Sequence, residues 1–190
     1  MGNFFRRART LGGGIFILLF ISICACRKKT ELVTYGVNFT VNGVAVNFTK
    51  YDSGSLGSYG VSPQDYYINF GATPTDSATT NLSSIYVVMS DKIPITTGYY
   101  DNDEPSMTII PFKISLNYTT PDGQNYFSSD YLGDSSYIPL PVDNKIVLTE
   151  INSTYIKGTF QGTLVPFGPY TGNYITITNG AFTVHTAKRP

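Results

Sequence analysis

The sequence predicts an all-β protein, an antiparallel β-sandwich of about nine strands, with an open or closed lipocalin-like barrel as the alternative. Short segments with apolar residues at every second position recur along the chain, separated by Gly, Pro, Asn, Asp and Ser. Beyond residue 33, no segment shows the i, i+3, i+4 apolar spacing of an amphipathic helix. Tyrosine and threonine are abundant, which is typical of half-buried strands.

The first predicted element is a hairpin over Gly36–Thr49 with its turn at Asn42-Gly43. Asn-Gly between alternating strands is a strong hairpin signal, because a type I′ turn needs a positive φ at both central residues. Counting outward from the turn places Val41 opposite Val44, and the remaining Val and Phe residues of both arms fall on the same face. The repeated Val-Asn-Phe-Thr is therefore interpreted as two paired arms and not as a binding repeat.

The next segments read as strands and polar loops in turn. A Gly/Ser-rich loop is predicted at Asp52–Pro63, a strand at Tyr66–Phe70 and a polar loop at Thr73–Asn81. Ser84–Met89 is continuously apolar, which indicates a strand buried on both faces.

The middle of the chain is interrupted by proline. Met107–Tyr118 alternates like a strand but contains Pro111, which indicates an edge strand or a bulge. Pro121-Asp-Gly123 predicts a turn into a strand at Tyr126-Phe127, and residues 128–144 form a long excursion.

The last segments carry the strongest alternation. Lys145–Ile151 is predicted as a strand, and Tyr155–Val165 as a strand with two glycines on its apolar face, which permit a bend or a close backbone approach. That face consists of Ile156, Gly158, Phe160, Gly162 and Leu164. A second hairpin is predicted around Asn179-Gly180, with Ile177 opposite Phe182.

Residues 1–25 read as a signal peptide. Arginines precede an apolar run, Leu11–Ala25, of about fifteen residues, fewer than the ~20 that a spanning helix needs. A signal-anchor helix is the alternative, because basic residues, Arg27-Lys28-Lys29, follow the run.

The end of that run, Ile23-Cys24-Ala25-Cys26, resembles the bacterial lipobox. The resemblance implies that Cys26 is diacylated and becomes the first residue of the mature chain, and more than one acyl chain gives stable anchoring. Residues 26–33 are then a tether, and residues 34–190 a single β domain. Arg27 is not the aspartate associated with inner-membrane retention, so the expected location is the outer membrane. The basic residues after Cys26 favour its periplasmic side.

Both ends of the mature chain resemble a family. The Val41-Asn42-Gly43 hairpin, Gly158-Thr-Phe-Gln-Gly162 and Ile175-Thr-Ile-Thr-Asn-Gly-Ala-Phe-Thr-Val184 are similar to segments of small exported all-β lipoproteins of unknown function from Gram-negative gut and environmental bacteria. The resemblance implies a fold, a lipid anchor and the outer membrane, and it transfers no catalytic residue.

Composition excludes several chemistries. Residues 26–190 hold ten basic and thirteen acidic residues, a formal charge of −3, which argues against a nucleic-acid partner. Lipidation of Cys26 leaves the mature chain without a thiol, so no disulfide, cysteine nucleophile or thiolate metal site is expected. The single histidine, His185, is predicted to point outward, and no Gly-x-Ser-x-Gly motif accompanies it. We therefore expect neither an enzyme nor a cofactor.

Two weaker site hypotheses remain. Asp101, Asp103 and Glu104 form an acidic cluster that offers calcium the oxygen ligands it needs, although the EF-hand spacing is absent and a solvated turn is the simpler interpretation. Asp76-Ser77-Ala78 resembles an O-glycosylation motif of exported proteins in some of these bacteria, which would modify Ser77.

The chain has fifteen tyrosines and no tryptophan. Exposed tyrosines stack on sugars and anchor protein interfaces, so Tyr99, Tyr100 and Tyr131 are candidate contacts with a protein or a glycan. The missing tryptophan argues against a dedicated carbohydrate-binding module.

Three functions fit these residues. The first is a non-enzymatic binding or structural domain whose loops at 52–65 and 119–144 carry the contacts. The second is a lipocalin-like carrier of an apolar ligand, lined by Ile156, Phe160 and Leu164. The third is a hydrolase.

Overall fold

The predicted all-β class is confirmed. The structure is a computed structural model that describes residues 32–51, 54–59, 65–74, 82–102, 114–128, 144–167 and 172–187. Every regular element of these residues is a strand, and none of them forms a helix long and apolar enough to cross a bilayer. Thr34–Pro190 form one compact unit. The twelve strands are β1 (Gly36–Val41), β2 (Val44–Phe48), β3 (Lys50–Tyr51), β4 (Gly54–Tyr59), β5 (Asp65–Thr73), β6 (Ser84–Asp91), β7 (Gly98–Asp101), β8 (Ile114–Thr119), β9 (Asn125–Ser128), β10 (Lys145–Ile151), β11 (Tyr155–Pro166) and β12 (Ile175–Ala187).

The first hairpin forms as predicted. β1 and β2 pair antiparallel with Val41 opposite Val44, and the remaining pairs follow in the predicted register. Asn42 and Gly43 have φ values of 47° and 86°, the two positive values that a type I′ turn requires. Local sequence therefore determined the turn and the register of this hairpin.

All twelve strands belong to one sheet that is nearly closed and barrel-like, the second of the two architectures expected from the sequence. β11 and β12 pair with each other along most of their length. On its other edge β12 pairs with β1 and, through its last two residues, with β4. β11 similarly pairs with β10 and, through its last three residues, with β9. These two strands can serve two partners each because they have 12 and 13 residues, against a usual length of about 5–6.

β11 and β12 thus join two parts of the sheet. The first, the six-stranded segment, has the order β2-β1-β12-β11-β10-β7, and the second has the order β4-β5-β6-β8-β9. The inward residues of both parts build one hydrophobic cluster. Each large apolar side chain that is fully buried stabilises the fold by about 1.5–3 kcal/mol relative to an exposed one. The largest of them are Phe48, Phe70, Ile85, Met89, Ile114, Leu116, Ile146, Leu148, Ile156, Leu164, Ile177 and Val37.

Glycines on β11 and β12 make room for phenylalanine rings. Gly158 is the register partner of Phe182, and Gly180 is the register partner of Phe160. A Cβ on Gly158 would lie 2.3 Å from the backbone oxygen of Val147, and a Cβ on Gly180 would lie 2.4 Å from that of Phe160. The close backbone approach expected from the glycines of β11 is therefore confirmed.

The predicted second hairpin is wrong, because β12 is one continuous strand through Asn179-Gly180. Asn179 has a φ of 53°, but Gly180 does not share the positive φ that a type I′ turn needs at both positions. The register with β11 slips by one residue here, so Asn179 belongs to a β-bulge. The extra residue leaves both Ile177 and Phe182 facing the core, although they lie an odd number of positions apart.

Three other local predictions differ from the structure. Within Ser84–Met89, β6 buries Ile85 and Val87 on one face and leaves Tyr86 46% exposed on the other, because this part of the sheet has a core on one side and solvent on the other. The predicted loop at Asp52–Pro63 contains β4, which pairs with β5 despite its Gly and Ser content. β3 and β7 were not predicted at all, because strands of two and four residues carry too few alternations to detect.

Candidate functional site

The outer face of the six-stranded segment carries a continuous row of side chains. The register of each neighbouring pair places one residue of every strand in this row. Their neighbours along each strand point mostly to the core, so period-two alternation turns the row outward. In order from β7 to β2, the row is Tyr99, Val147, Thr159, Ala181, Asn38 and Asn47.

Two adjacent depressions lie along this row. One has a volume of about 330 Å³ and extends from Thr159 and Ala181 towards Asn38, Asn47 and Thr183. The other has a volume of about 450 Å³ and extends from the same two residues towards Tyr99 and Lys145. Together they form what we call the outer-face groove, defined by Asn38, Asn47, Tyr99, Thr159, Ala181 and Thr183.

The groove exists because its central side chains are short. Ala181 and Thr159 occupy the middle strands, and longer side chains, Tyr99, Lys145 and Lys157, stand around them. The strand spacing of about 4.8 Å makes the six-strand row about 24 Å long.

The polar groups of the groove are available to a ligand. Within the described part of the chain, the side chains of Asn38, Asn47, Thr159 and Gln161 make no hydrogen bond and no ion pair. The backbone between them is paired into the sheet on both edges of β1, β10, β11 and β12. Side-chain amides and hydroxyls, and not backbone groups, therefore offer the donors and acceptors.

The charged residues beside the groove partly compensate one another. Lys157 Nζ lies 3.3 Å from Glu150 Oε1, and the Tyr155 hydroxyl donates to Glu150 Oε2 at 2.5 Å. The Tyr155 hydrogen bond, followed by that of Lys157, holds the pKa of the Glu150 carboxyl below its usual value, and the same contact with Glu150 raises the pKa of Tyr155. At the other end, Lys145 is the register partner of Asp101.

The structure separates two of the predicted tyrosine contacts. Tyr99 is 57% exposed and lines the groove. Tyr100 packs against the core, its hydroxyl donates to the Thr96 carbonyl at 2.9 Å, and it accepts from the Thr96 amide at 3.0 Å. Tyr100 is therefore a structural residue that closes the segment before β7, and Tyr131 lies outside the described residues.

The other predicted sites are only partly described. Asp101 ends β7, whereas Asp103 and Glu104, Ser77 and Cys26 lie outside the described residues. Among the residues that the structure describes, no group of three or more His, Cys, Asp or Glu side chains is arranged to hold a metal ion.

His185 points outward, as predicted, but it is packed against aromatic rings. Its imidazole stacks on the Tyr35 ring with 3.9 Å between centroids, and the Tyr51 ring lies 6.0 Å away. Tyr155 meets Tyr35 edge-on at 6.4 Å. Burial, and then the charge of Tyr35, raise the pKa of Tyr51. This cluster joins the start of β1 to the end of β12, and nothing in the local sequence indicated it.

The three residues expected to line a carrier cavity are core residues. Ile156, Phe160 and Leu164 are at most 3% exposed. The Phe160 ring lies 5.9 Å from the Phe39 ring and 6.3 Å from the Phe182 ring. In the described part of the chain, these side chains pack with other apolar residues.

Strand alternation alone could have assigned Asn38, Asn47 and Thr159 to outer faces. It could not bring them together, because they lie on different strands and become neighbours only through β12. Comparison with protein-family models, curated proteins and solved structures found no match to this chain.

Proposed function

We propose that this chain is a lipoprotein of the outer membrane, anchored through Cys26 on the periplasmic side, and that its β domain is a non-enzymatic binding domain. The signal peptide and the lipobox-like Ile23-Cys24-Ala25-Cys26 support the anchor. The outer-face groove supports the binding role and is the observation that carries it.

The groove is more than an irregular surface. Residues from six strands, spread from Asn38 to Thr183 in the sequence, contribute to it. Its floor is the paired centre of the sheet, so its shape is held by the hydrogen bonds of β11 and β12. A surface on rigid strands positions ligand contacts more precisely than loops do.

The non-enzymatic part of the proposal rests on chemistry. His185 is the single histidine of the chain, and its ring is stacked on Tyr35. Cys24 and Cys26 are the only cysteines, and processing at Cys26 would remove one and acylate the other. The groove then contains neither a thiolate nucleophile nor a histidine that could act as a general base.

The carrier alternative requires an apolar cavity inside the barrel. The described inward positions are filled by large side chains such as Phe70, Met89 and Phe160. Filled interiors are typical of small barrels that hold no ligand. The groove therefore has stronger support than the interior as the binding site.

The anchor and the groove are tested separately. Cys26→Ser is expected to move the protein from the membrane pellet to the soluble fraction, with loss of the acyl mass from the intact protein. For the groove, hydrogen–deuterium exchange of the purified full-length protein is measured with and without whole envelope extract. We expect slower exchange in β11 and β12 with wild type, and no change with Thr159→Arg, whose long charged side chain would project from a position that both depressions share. Equal exchange with and without extract would contradict the binding role.

A further inference from the structure

We infer that the outer-face groove takes a neutral oligosaccharide, held as an extended chain across the strands of the six-stranded segment. This inference rests on the proposed binding role and adds the chemical class of the ligand. Four features of the groove support it: its hydrogen-bond donors and acceptors, its charge, its shape and the exposed ring of Tyr99.

The hydrogen-bonding groups match sugar hydroxyls. A hydroxyl donates one hydrogen bond and accepts two, so its best partners both donate and accept. Amides and hydroxyls have this property, and at Asn38, Asn47, Thr159 and Gln161 they line the groove without a partner among the described residues. A row of such groups fits a ligand that presents hydroxyls along its length.

The charges favour a neutral ligand. Lys157 forms an ion pair with Glu150, and Lys145 stands beside Asp101 in the sheet. A strongly anionic ligand such as a nucleic acid would need several uncompensated cations. Each lysine that lines the groove has an acidic residue next to it.

The same surface fits a peptide poorly. A peptide binds a sheet either through a free strand edge or through apolar side-chain pockets. Both edges of β1, β10, β11 and β12 are already paired, so a peptide could add a strand only at β2 or β7, the two ends of the six-stranded segment, and not across the groove. The apolar side chains Ala181 and Val147 offer a large side chain of a peptide little surface to pack against.

One aromatic ring and the length of the groove complete the match. Tyr99 stands at the β7 end with 57% of its surface exposed, which leaves its face free for a sugar ring. The row of about 24 Å has room for several sugar units. The depressions, of about 330 and 450 Å³, share Thr159 and Ala181, so one extended chain can occupy both.

The test uses hydrogen–deuterium exchange with the full-length protein and a neutral polysaccharide fraction. Envelope extract is freed of charged polymers on ion-exchange resins, and one half is treated with periodate, which cleaves the vicinal diols of sugar rings. Two further portions of whole extract are treated, one with periodate and one with proteinase K. We expect slower exchange in β11 and β12 with the neutral fraction and with the proteinase-treated extract, and no effect after periodate.

The outcomes separate the two proposals. If untreated whole extract does not slow exchange in β11 and β12, the binding role itself is contradicted. An effect with whole extract that survives periodate and is lost after proteinase K overturns the oligosaccharide and identifies a protein ligand. If the slower exchange is lost after the ion-exchange step, the ligand is charged, and its proposed neutrality is overturned.

Variants locate the contacts. Tyr99→Ala is expected to weaken the affinity for the neutral fraction about tenfold, and Asn38→Ala about two- to tenfold. Tyr174→Ala is the matched control, because Tyr174 is 50% exposed but lies outside the groove. Unchanged far-UV circular dichroism shows that each variant is folded. Equal affinities of Tyr99→Ala and wild type would contradict the placement of the ligand.

Discussion

Gly162 is expected to be irreplaceable because of one neighbouring side chain. A Cβ at this position would lie 2.0 Å from Asn144 Oδ1 and 2.8 Å from Leu116 Cδ1, whereas ordinary contact begins at 3.4 Å. Asn144 is fully buried and immediately precedes β10, so it has little room to move away. Gly162→Ala therefore forces the core apart where β11 faces Asn144 and Leu116.

The expected cost follows from two opposing effects. Overpacking a core typically destabilises a protein by about 1–3 kcal/mol. Alanine restricts the unfolded chain more than glycine does, which stabilises the folded protein by about 0.4–1 kcal/mol and offsets part of this cost. We expect Gly162→Ala to lower the free energy of unfolding by about 2 kcal/mol, which for a domain of this size lowers Tm by roughly 4–8 °C.

A double-mutant cycle tests the cause. In an Asn144→Ala background the clash with the amide disappears and only the 2.8 Å approach to Leu116 Cδ1 remains, so the same Gly162→Ala change is expected to cost about 1 kcal/mol less than in wild type. Urea unfolding, followed by far-UV circular dichroism, gives the four free energies. An equal cost in both backgrounds would refute the reasoning, because the destabilisation would then come from Leu116 or from the backbone and not from Asn144.

Three further results are expected from single substitutions. Gly158→Ala should lower the free energy of unfolding, measured in urea, by about 2 kcal/mol, because its Cβ would lie 2.3 Å from the Val147 carbonyl oxygen. This clash is with the backbone, so no side-chain truncation can relieve it. Asn152→Ala should cost about 1 kcal/mol, because the Asn152 Oδ1 accepts hydrogen bonds from two following backbone amides at 2.8 and 2.9 Å in the β10–β11 turn. Glu150→Gln should be less stable than wild type at neutral pH, and the difference should vanish in acid. The folded-state pKa of Glu150 is lowered, chiefly by the Tyr155 hydroxyl, so its contribution is present above the unfolded pKa and is lost as pH falls through the folded value.

Each of these three results has a contrary outcome. Full stability of Gly158→Ala would mean that β10 and β11 are not as close as described. If Asn152→Ala is as stable as wild type, the Asn152 side chain does not stabilise the turn. A Glu150→Gln difference that persists below the unfolded carboxyl pKa would exclude ionisation as its origin.

Two Asn-Gly pairs show the limit of local prediction. At Asn42-Gly43 the two flanking arms, β1 and β2, pair with each other and a hairpin forms, while β12 pairs with the other edge of β1. At Asn179-Gly180 the residues on both sides of the dipeptide pair with the same two neighbours, because β11 lies along one edge and β1 along the other. The dipeptide then forms a bulge in a single strand, a choice decided by residues far away in the sequence.

The amino-acid sequence alone determined the β class, the register of the first hairpin and the inward face of β11, because side-chain alternation and turn chemistry act between residues close along the chain. Only the tertiary structure decided which strands lie side by side, and hence that Tyr99, Thr159 and Asn38 share one groove. The physical reason is that strand neighbours are chosen by burial of the whole core, a sum over contacts that no single segment contains.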